Sequence, residues 1–153
     1  MKKGINYKVL ILSLIIVYGV AFLGSLFTDT TDWYESVKPS LTPPSYVFPI
    51  VWNILFFLIA ISLYLAWTKS NKKQKSKIAL LFGINLFLNL LWSFLFFGLH
   101  QPLLAFIELI LLWFSIIAMI LVVRKINKTS AWLLTPYLLW VTFAGVLNFL
   151  IVF

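Results

Sequence analysis

Apolar residues in this chain do not alternate with polar ones. They come in five nearly unbroken runs, about 9–27, 46–68, 78–98, 103–123 and 130–152. Each run has about 20 residues, which at a rise of about 1.5 Å per residue crosses a hydrocarbon core of about 30 Å. In such a core every backbone group must be bonded within its own helix or around a closed barrel, and the two-residue alternation of barrel strands is missing. The pattern predicts an all-α polytopic membrane protein. It is a single bundle of five transmembrane helices over residues 1–153, with one long connection at 28–45. The first run follows Met1, Lys2 and Lys3 as a signal peptide would. Its apolar part is longer than a signal's, and no A-x-A cleavage site follows, so it is read as a mature helix.

Composition agrees with this reading: 63% of the residues are hydrophobic and 10% charged, against about half and about a quarter in soluble domains. The absence of cysteine excludes a disulfide framework and thiolate metal sites. A net charge of +8 would suit nucleic acid if it formed a patch. It lies instead in the tethers between runs, so no nucleic-acid partner is expected and membrane topology explains it. Lys2, Lys3, Lys8, Lys69, Lys72, Lys73, Lys75, Lys77, Arg124, Lys125 and Lys128 fall on one side, and Lys38 alone on the other. By the positive-inside rule the N-terminus is inside and the C-terminus outside. Asp29, Asp32 and Glu35 in the outer loop agree. No internal repeat is visible, and five spans do not divide into two inverted halves, which argues against the common repeat-built transporters.

Polar groups inside the spans narrow the function. Asn85, Asn89, Trp92 and Phe96 are spaced four, three and four apart, on one face of the third span. Such a face either joins helices by hydrogen bonds or lines a ligand cavity. In the fifth span Pro136 is placed to kink the helix, and Trp140, Ala144 and Asn148 follow at intervals of four. Trp67 and Trp132 suit the interfacial belt, whereas Trp92, Trp113 and Trp140 lie too deep for it. Glu108 is the only acid within a span. It is either functional or structural, reaching water or bonding a neighbouring helix. His100 is the only histidine and lies in an outer turn, where solvation is the ordinary role. No metal site, no Ser-His-Asp or Cys-His set, no buried haem ligand and no glycine-rich phosphate loop can be assembled.

The long connection reads "DTTDWYESVKPSLTPPSYVFPIVW". Pro39, Pro43 and Pro44 fix their own φ and restrict the residues before them, so the segment is pre-ordered. Trp33 and Tyr34 give it an amphipathic aromatic tip, and loops of this length are often lids. It is expected to fold over the bundle mouth, with Trp52 beneath it. Trp33, Tyr34, Trp52, Asn89 and Trp140 would then line one outward-facing cavity; simple anchoring at the headgroups is the other reading.

"WYESVKPSLTPP" with "FPIVW", then "NLFLNLLWSFLFFG", then "PYLLWVTFAGVLN" resemble, in this order and spacing, the tryptophan-rich sensory protein / translocator protein family, also called the peripheral benzodiazepine receptor family. The resemblance covers nearly the whole chain. It implies a five-helix bundle, often a homodimer, that binds porphyrins such as protoporphyrin IX as ligand or substrate and needs no cofactor. Some members bind cholesterol or isoquinoline carboxamides, and light-dependent breakdown of protoporphyrin is ascribed to some. On matching positions Trp52 and Trp140 resemble the tryptophans tied to that breakdown. Tyr34, Asn89, Ala144 and Ser25 match ligand-pocket positions, and Trp33 and Trp92 join the expected ligand-binding set from the reading of the loop and the third span. Leu41 stands where the family usually has tryptophan, and "LNFLIVF" lacks the tyrosine and basic residue of the sterol-recognition pattern.

The resemblance implies a receptor in a bacterial cell membrane. A transporter of tetrapyrroles or lipids and a stress-related sensor or scaffold are the alternatives. The lysine-rich "KSNKKQKSK" suits anionic lipid or a partner but is explained by topology alone. Ala21 and Ser25 form a small-xxx-small pair for a dimer on the first span.

Overall fold

Helices occupy all five runs. The computed structural model describes residues 4–28 and 32–153. Helix α1 covers Tyr7–Ser25, α2 Asp32–Val37, α3 Val47–Lys69, α4 Lys72–Ser93, α5 Pro102–Val123, α6 Lys128–Leu133 and α7 Thr135–Val152. A π-helical turn, Phe94–Gly98, continues α4 without a break. Lys2, Lys3 and Asp29, used in the charge argument, lie outside the described residues. Among the described residues five stretches are long and apolar enough to cross a membrane: Tyr7–Ser25, Val47–Lys69, Lys72–Gly98, Pro102–Val123 and Lys128–Val152.

Local chemistry explains where the helices begin. Asn6, Asn71 and Asn127 each cap a helix, their side-chain oxygens accepting from the N–H of Val9, Gln74 and Ser130. At Asn71 the cap is reciprocal, since the Gln74 side chain returns a bond to the Asn71 N–H at 2.9 Å. That capping box starts α4 ahead of the apolar run, so Lys72, Lys73, Lys75 and Lys77 extend from a helical turn rather than a loop. Pro102 opens α5, where its missing N–H costs no helical bond. The kink expected at Pro136 is a break: α6 ends at Leu133, and α7 restarts at Thr135 with the proline in its first turn.

The helices form a ring in the order α1, α3, α6–α7, α5, α4 and back to α1. A ring in this order places each span against two others and leaves its outer face to lipid. Phe22, Phe87, Phe114 and Leu139 project from four different spans with about 60% or more of their surface free, as suits a bilayer solvent. One seam of the ring is tied and another is loose. Ser62 Oγ donates to the Ser130 carbonyl at 2.8 Å, and Ser130 Oγ donates to the Ser62 carbonyl at 2.6 Å, so α3 and α6 are clamped by a buried reciprocal pair. Beyond α6, α3 and α7 meet only slightly.

The two ends of the bundle differ. At one end lie Lys69, Lys72 and Arg124, with Lys75 set 5.6 Å above the Trp67 ring. At the other lie α2 and its prolines. Because the chain has no cysteine, single substitutions report the orientation cleanly. A membrane-impermeant maleimide on intact cells should label Ser40→Cys, near α2. It should label Ser70→Cys, at the lysine end, only after permeabilisation. The reverse pattern would invert the assignment drawn from the lysines.

Candidate ligand-binding site

The α2 end is built from aromatic rings. Helix α2 rests on the π-helical turn, whose Leu99 N–H donates to the Phe94 carbonyl at 2.9 Å. A π-turn rotates the following side chains away from their α-helical directions, and here it carries Phe96 and Phe97 under α2. Trp33 meets Phe96 edge-on at 5.4 Å and stacks on His100 at 4.4 Å with 16° between the planes. Tyr34 meets Phe96 and Phe97 edge-on at 6.2 and 5.6 Å. Phe96 in turn stacks on Trp92 at 4.9 Å and 14°. His100 has a φ of 52°, the left-handed conformation that ends the turn and puts its ring flat on Trp33. Burial raises the Tyr34 phenol above its ordinary pKa, keeping it a neutral donor. Lys38, the one basic residue in the α2 connection, is ion-paired with Glu35.

Beneath the rings lies a polar layer. Trp92 Nε1 donates to Asn148 Oδ1 at 3.2 Å, and Asn148 Nδ2 donates to the Pro102 carbonyl at 2.9 Å. Deeper, Asn89 Nδ2 donates to the Tyr137 hydroxyl at 3.2 Å, which donates to Asn85 Oδ1 at 3.3 Å. Asn85 Nδ2 donates to Ser115 Oγ at 2.8 Å, and Ser115 Oγ donates to the Leu112 carbonyl at 2.6 Å. This chain joins α4, α7 and α5. Of the two roles open to the asparagine face, helix joining is therefore fulfilled. Tyr137 is fully buried at its centre.

The two tryptophans singled out for chemistry have different surroundings. Trp52 stacks on Phe56 at 5.3 Å and meets Tyr137 edge-on at 6.2 Å. Trp140, on α7, meets Phe48 edge-on at 5.8 Å and lies 5.5 Å from Phe143. It walls a cleft of about 370 Å³ in the loose seam between α3 and α7, with Val51, Ile54, Leu55, Pro136 and Leu139. Ala144 is half-buried against the core. Ser25 is not brought to this group: it is exposed, and its hydroxyl donates to the Phe22 carbonyl of its own helix at 2.7 Å.

The structure thus parts the expected residues into three neighbouring groups rather than setting them around one void. Trp33, Tyr34 and Trp92 form the ring layer. Asn89 and Trp52 meet at Tyr137. Trp140 faces the α3–α7 cleft. The physical reason is Tyr137, whose ring and hydroxyl fill the centre. Tyr137 stands in the stretch "PYLLWVTFAGVLN", where its local order gives it no evident role. The available signal was a phenol inside an apolar run, which must find a partner when buried. Trp113, too deep for the interfacial belt, has its N–H bonded to Thr142 Oγ1 at 2.8 Å. Glu108 differs from the rest. Only 5% of its surface is free, and neither carboxyl oxygen has a hydrogen-bond partner among the described residues. The bond to a neighbouring helix that was one of its two expected roles is not formed.

Comparison with known proteins decides the family. The TspO/MBR family model matches residues 12–153. The chain belongs to the TspO/MBR family. It is 41% identical over 152 residues to the tryptophan-rich protein TspO of Chlorobaculum tepidum, covering 95% of this chain and 96% of that one. It is 35% identical over 148 residues to protein CrtK of Rhodobacter capsulatus, covering 90% of each. The translocator protein of Ovis aries is 33% identical over 133 residues, covering 84% of this chain and 79% of the sheep protein. Family membership and the five apolar helices establish an integral membrane protein.

Two substitutions test this construction of the TspO/MBR fold. Tyr137→Phe removes the hydroxyl shared by Asn85 and Asn89 and should cost about 1–2 kcal/mol, at the upper end for polar contacts between membrane helices. Thermal unfolding in a fixed lipid or detergent reads this as a lowered Tm. Trp33→Ala removes the contacts to His100 and Phe96. Chymotrypsin should then cut within residues 34–46 several-fold faster while the Tm hardly changes, because α2 packs outside the ring of spans.

Proposed function

We propose that the protein is a membrane receptor for porphyrins, protoporphyrin IX among them, and for related flat apolar ligands. The observation that carries this reading is the layering at the α2 end. Indole and phenyl rings of Trp33, Phe96 and Trp92 lie over a polar layer of Asn89, Tyr137 and Asn148, with the Trp140 cleft beside it. Aromatic faces stack on a planar conjugated ligand, each such contact adding about 0.5–1.5 kcal/mol beyond area burial. The cleft of about 370 Å³ falls within the size range of small-molecule sites. A porphyrin's two carboxylates remain at the water-facing mouth, where Lys38 can exchange its Glu35 partner for one of them. Exposed ion pairs of that kind are worth little, so the exchange costs little.

The orientation proposed for the receptor puts the α2 end outside a bacterial cell membrane. Homodimer formation is part of the same proposal. The name of one relative, translocator protein, is compatible with transport, and the loose α3–α7 seam favours a receptor that admits a ligand from the side.

Titration of the purified protein with protoporphyrin IX in the dark should quench tryptophan fluorescence saturably. Trp92→Ala should weaken binding about tenfold through lost stacking and hydrogen bonding. Illumination of the complex tests the breakdown implied by the family. The double variant Trp52→Phe, Trp140→Phe should still bind, and its porphyrin absorption band should persist under light that bleaches the band with the unaltered protein. Absence of saturable quenching in the dark would overturn the receptor reading.

A further inference from the structure

Among the described residues, the side-chain polar atoms with no surface and no partner belong to Thr42, in the α2–α3 connection, and to Glu108, inside a span. Glu108 lies on the buried face of α5 with Ala105, Leu109 and Leu112, six residues and so about 9 Å below the start of the helix at Pro102. Across from it on α7, Gly145 stands so near Leu109 that a Cβ would be 3.1 Å from Leu109 Cδ2. The Leu109 side chain therefore packs directly on the α7 backbone at Gly145, and the face around the carboxyl is apolar.

The donors of the polar layer bond elsewhere. Tyr137 gives its proton to Asn85, Asn89 donates to Tyr137, Asn148 to the Pro102 carbonyl and Trp92 to Asn148. The polar layer closes on itself and leaves Glu108 out. A buried carboxyl with no donor is costly in hydrocarbon, and groups in that position mark sites where something else supplies the partner.

We infer that Glu108 is the polar anchor of a ligand subsite in the α2 half of the bundle, receiving a nitrogen-bound hydrogen of an apolar aromatic ligand, an amine or ring N–H. The inference rests on the reading that this half of the bundle takes up a ligand, and not on that ligand being a porphyrin. It also gives the site a polarity. A carboxylate-bearing edge brings no donor to Glu108 and is costly to bury, so it stays toward the mouth, whereas an N–H edge points inward. The anchor thus selects orientation as well as ligand class, because a hydrogen bond at this depth meets no competing water and is stronger than one at the surface.

The test uses the full chain in lipid nanodiscs and three naphthalenes of similar size: naphthylmethylamine, ethylnaphthalene and naphthylacetic acid. Equilibrium dialysis, with empty nanodiscs subtracted, gives each affinity. The unaltered protein should bind the amine about tenfold or more tighter than ethylnaphthalene, and the acid more weakly than either. Glu108→Gln should erase the amine's advantage and leave ethylnaphthalene unchanged, whereas Glu108→Asp should keep part of it. A measurement without any variant accompanies these. Dicyclohexylcarbodiimide should modify Glu108, located by mass spectrometry, and the amine should protect it while ethylnaphthalene does not. No preference for the amine in the unaltered protein, the same preference in Glu108→Gln, or no protection would each overturn the inference. Protoporphyrin titrated alongside separates the two readings: amine preference without porphyrin binding sinks the porphyrin receptor and leaves the Glu108 anchor standing, and porphyrin binding without amine preference does the opposite.

Discussion

In hydrocarbon a polar side chain has no water to fall back on, and most of this structure follows from that constraint. The chain from Asn89 through Tyr137, Asn85 and Ser115 to the Leu112 carbonyl joins three spans by bonds that have no solvent substitute. Its second strand, from Trp92 through Asn148 to the Pro102 carbonyl, ties α4 to α7 and α7 to the start of α5. Lipid tails are as apolar as leucine, so apolar burial alone would leave these helices free to slide. Directed bonds between a few polar groups set which faces meet.

The aromatic layer depends on that framework. Trp92 can stack under Phe96 because its N–H is held by Asn148, and Phe96 is turned toward α2 by the π-helical turn. Helix α2 has six residues and no buried side chain, too little to be stable alone. Its position comes from Trp33 and Tyr34 lying on rings supplied by the spans. The reciprocal serine pair clamps α3 to α6, while α3 and α7 stay apart and the Trp140 cleft opens between them. Rigid ties beside a loose seam suit a protein that admits an apolar molecule while keeping its fold.

Particular residues show how far the sequence could be read. The five spans were legible because length and apolarity are local properties, and helix is the ordinary solution for such a run in a membrane. An interruption at Pro136 was legible for the same reason, since a missing N–H acts where it stands, but as a kink and not as the break that separates α6 from α7. The Asn85, Asn89, Trp92 face was visible from spacing, but its partners were not. Tyr137 lies 48 residues from Asn89, and Asn148 lies 56 from Trp92. Ser62 and Ser130, 68 residues apart, are two small polar residues among many until the bundle closes. His100 looked like a solvated loop residue, and its exposed ring nonetheless stacks on Trp33.

The sequence by itself determined the membrane class, the number and approximate limits of the spans, the asymmetry of charge between the two ends, and the pre-ordered proline segment. Each follows from short-range chemistry: transfer of a run from water to lipid, capping by asparagine, the fixed φ of proline. Tertiary structure alone decided that Tyr137 fills the centre, that Trp52 meets it while Trp140 faces the α3–α7 cleft, that Ser25 turns away, and that Glu108 is sealed in without a donor among the described residues. Those outcomes depend on which partner each polar group finds across the bundle, and a pairing between distant helices has no signature in the local order of residues.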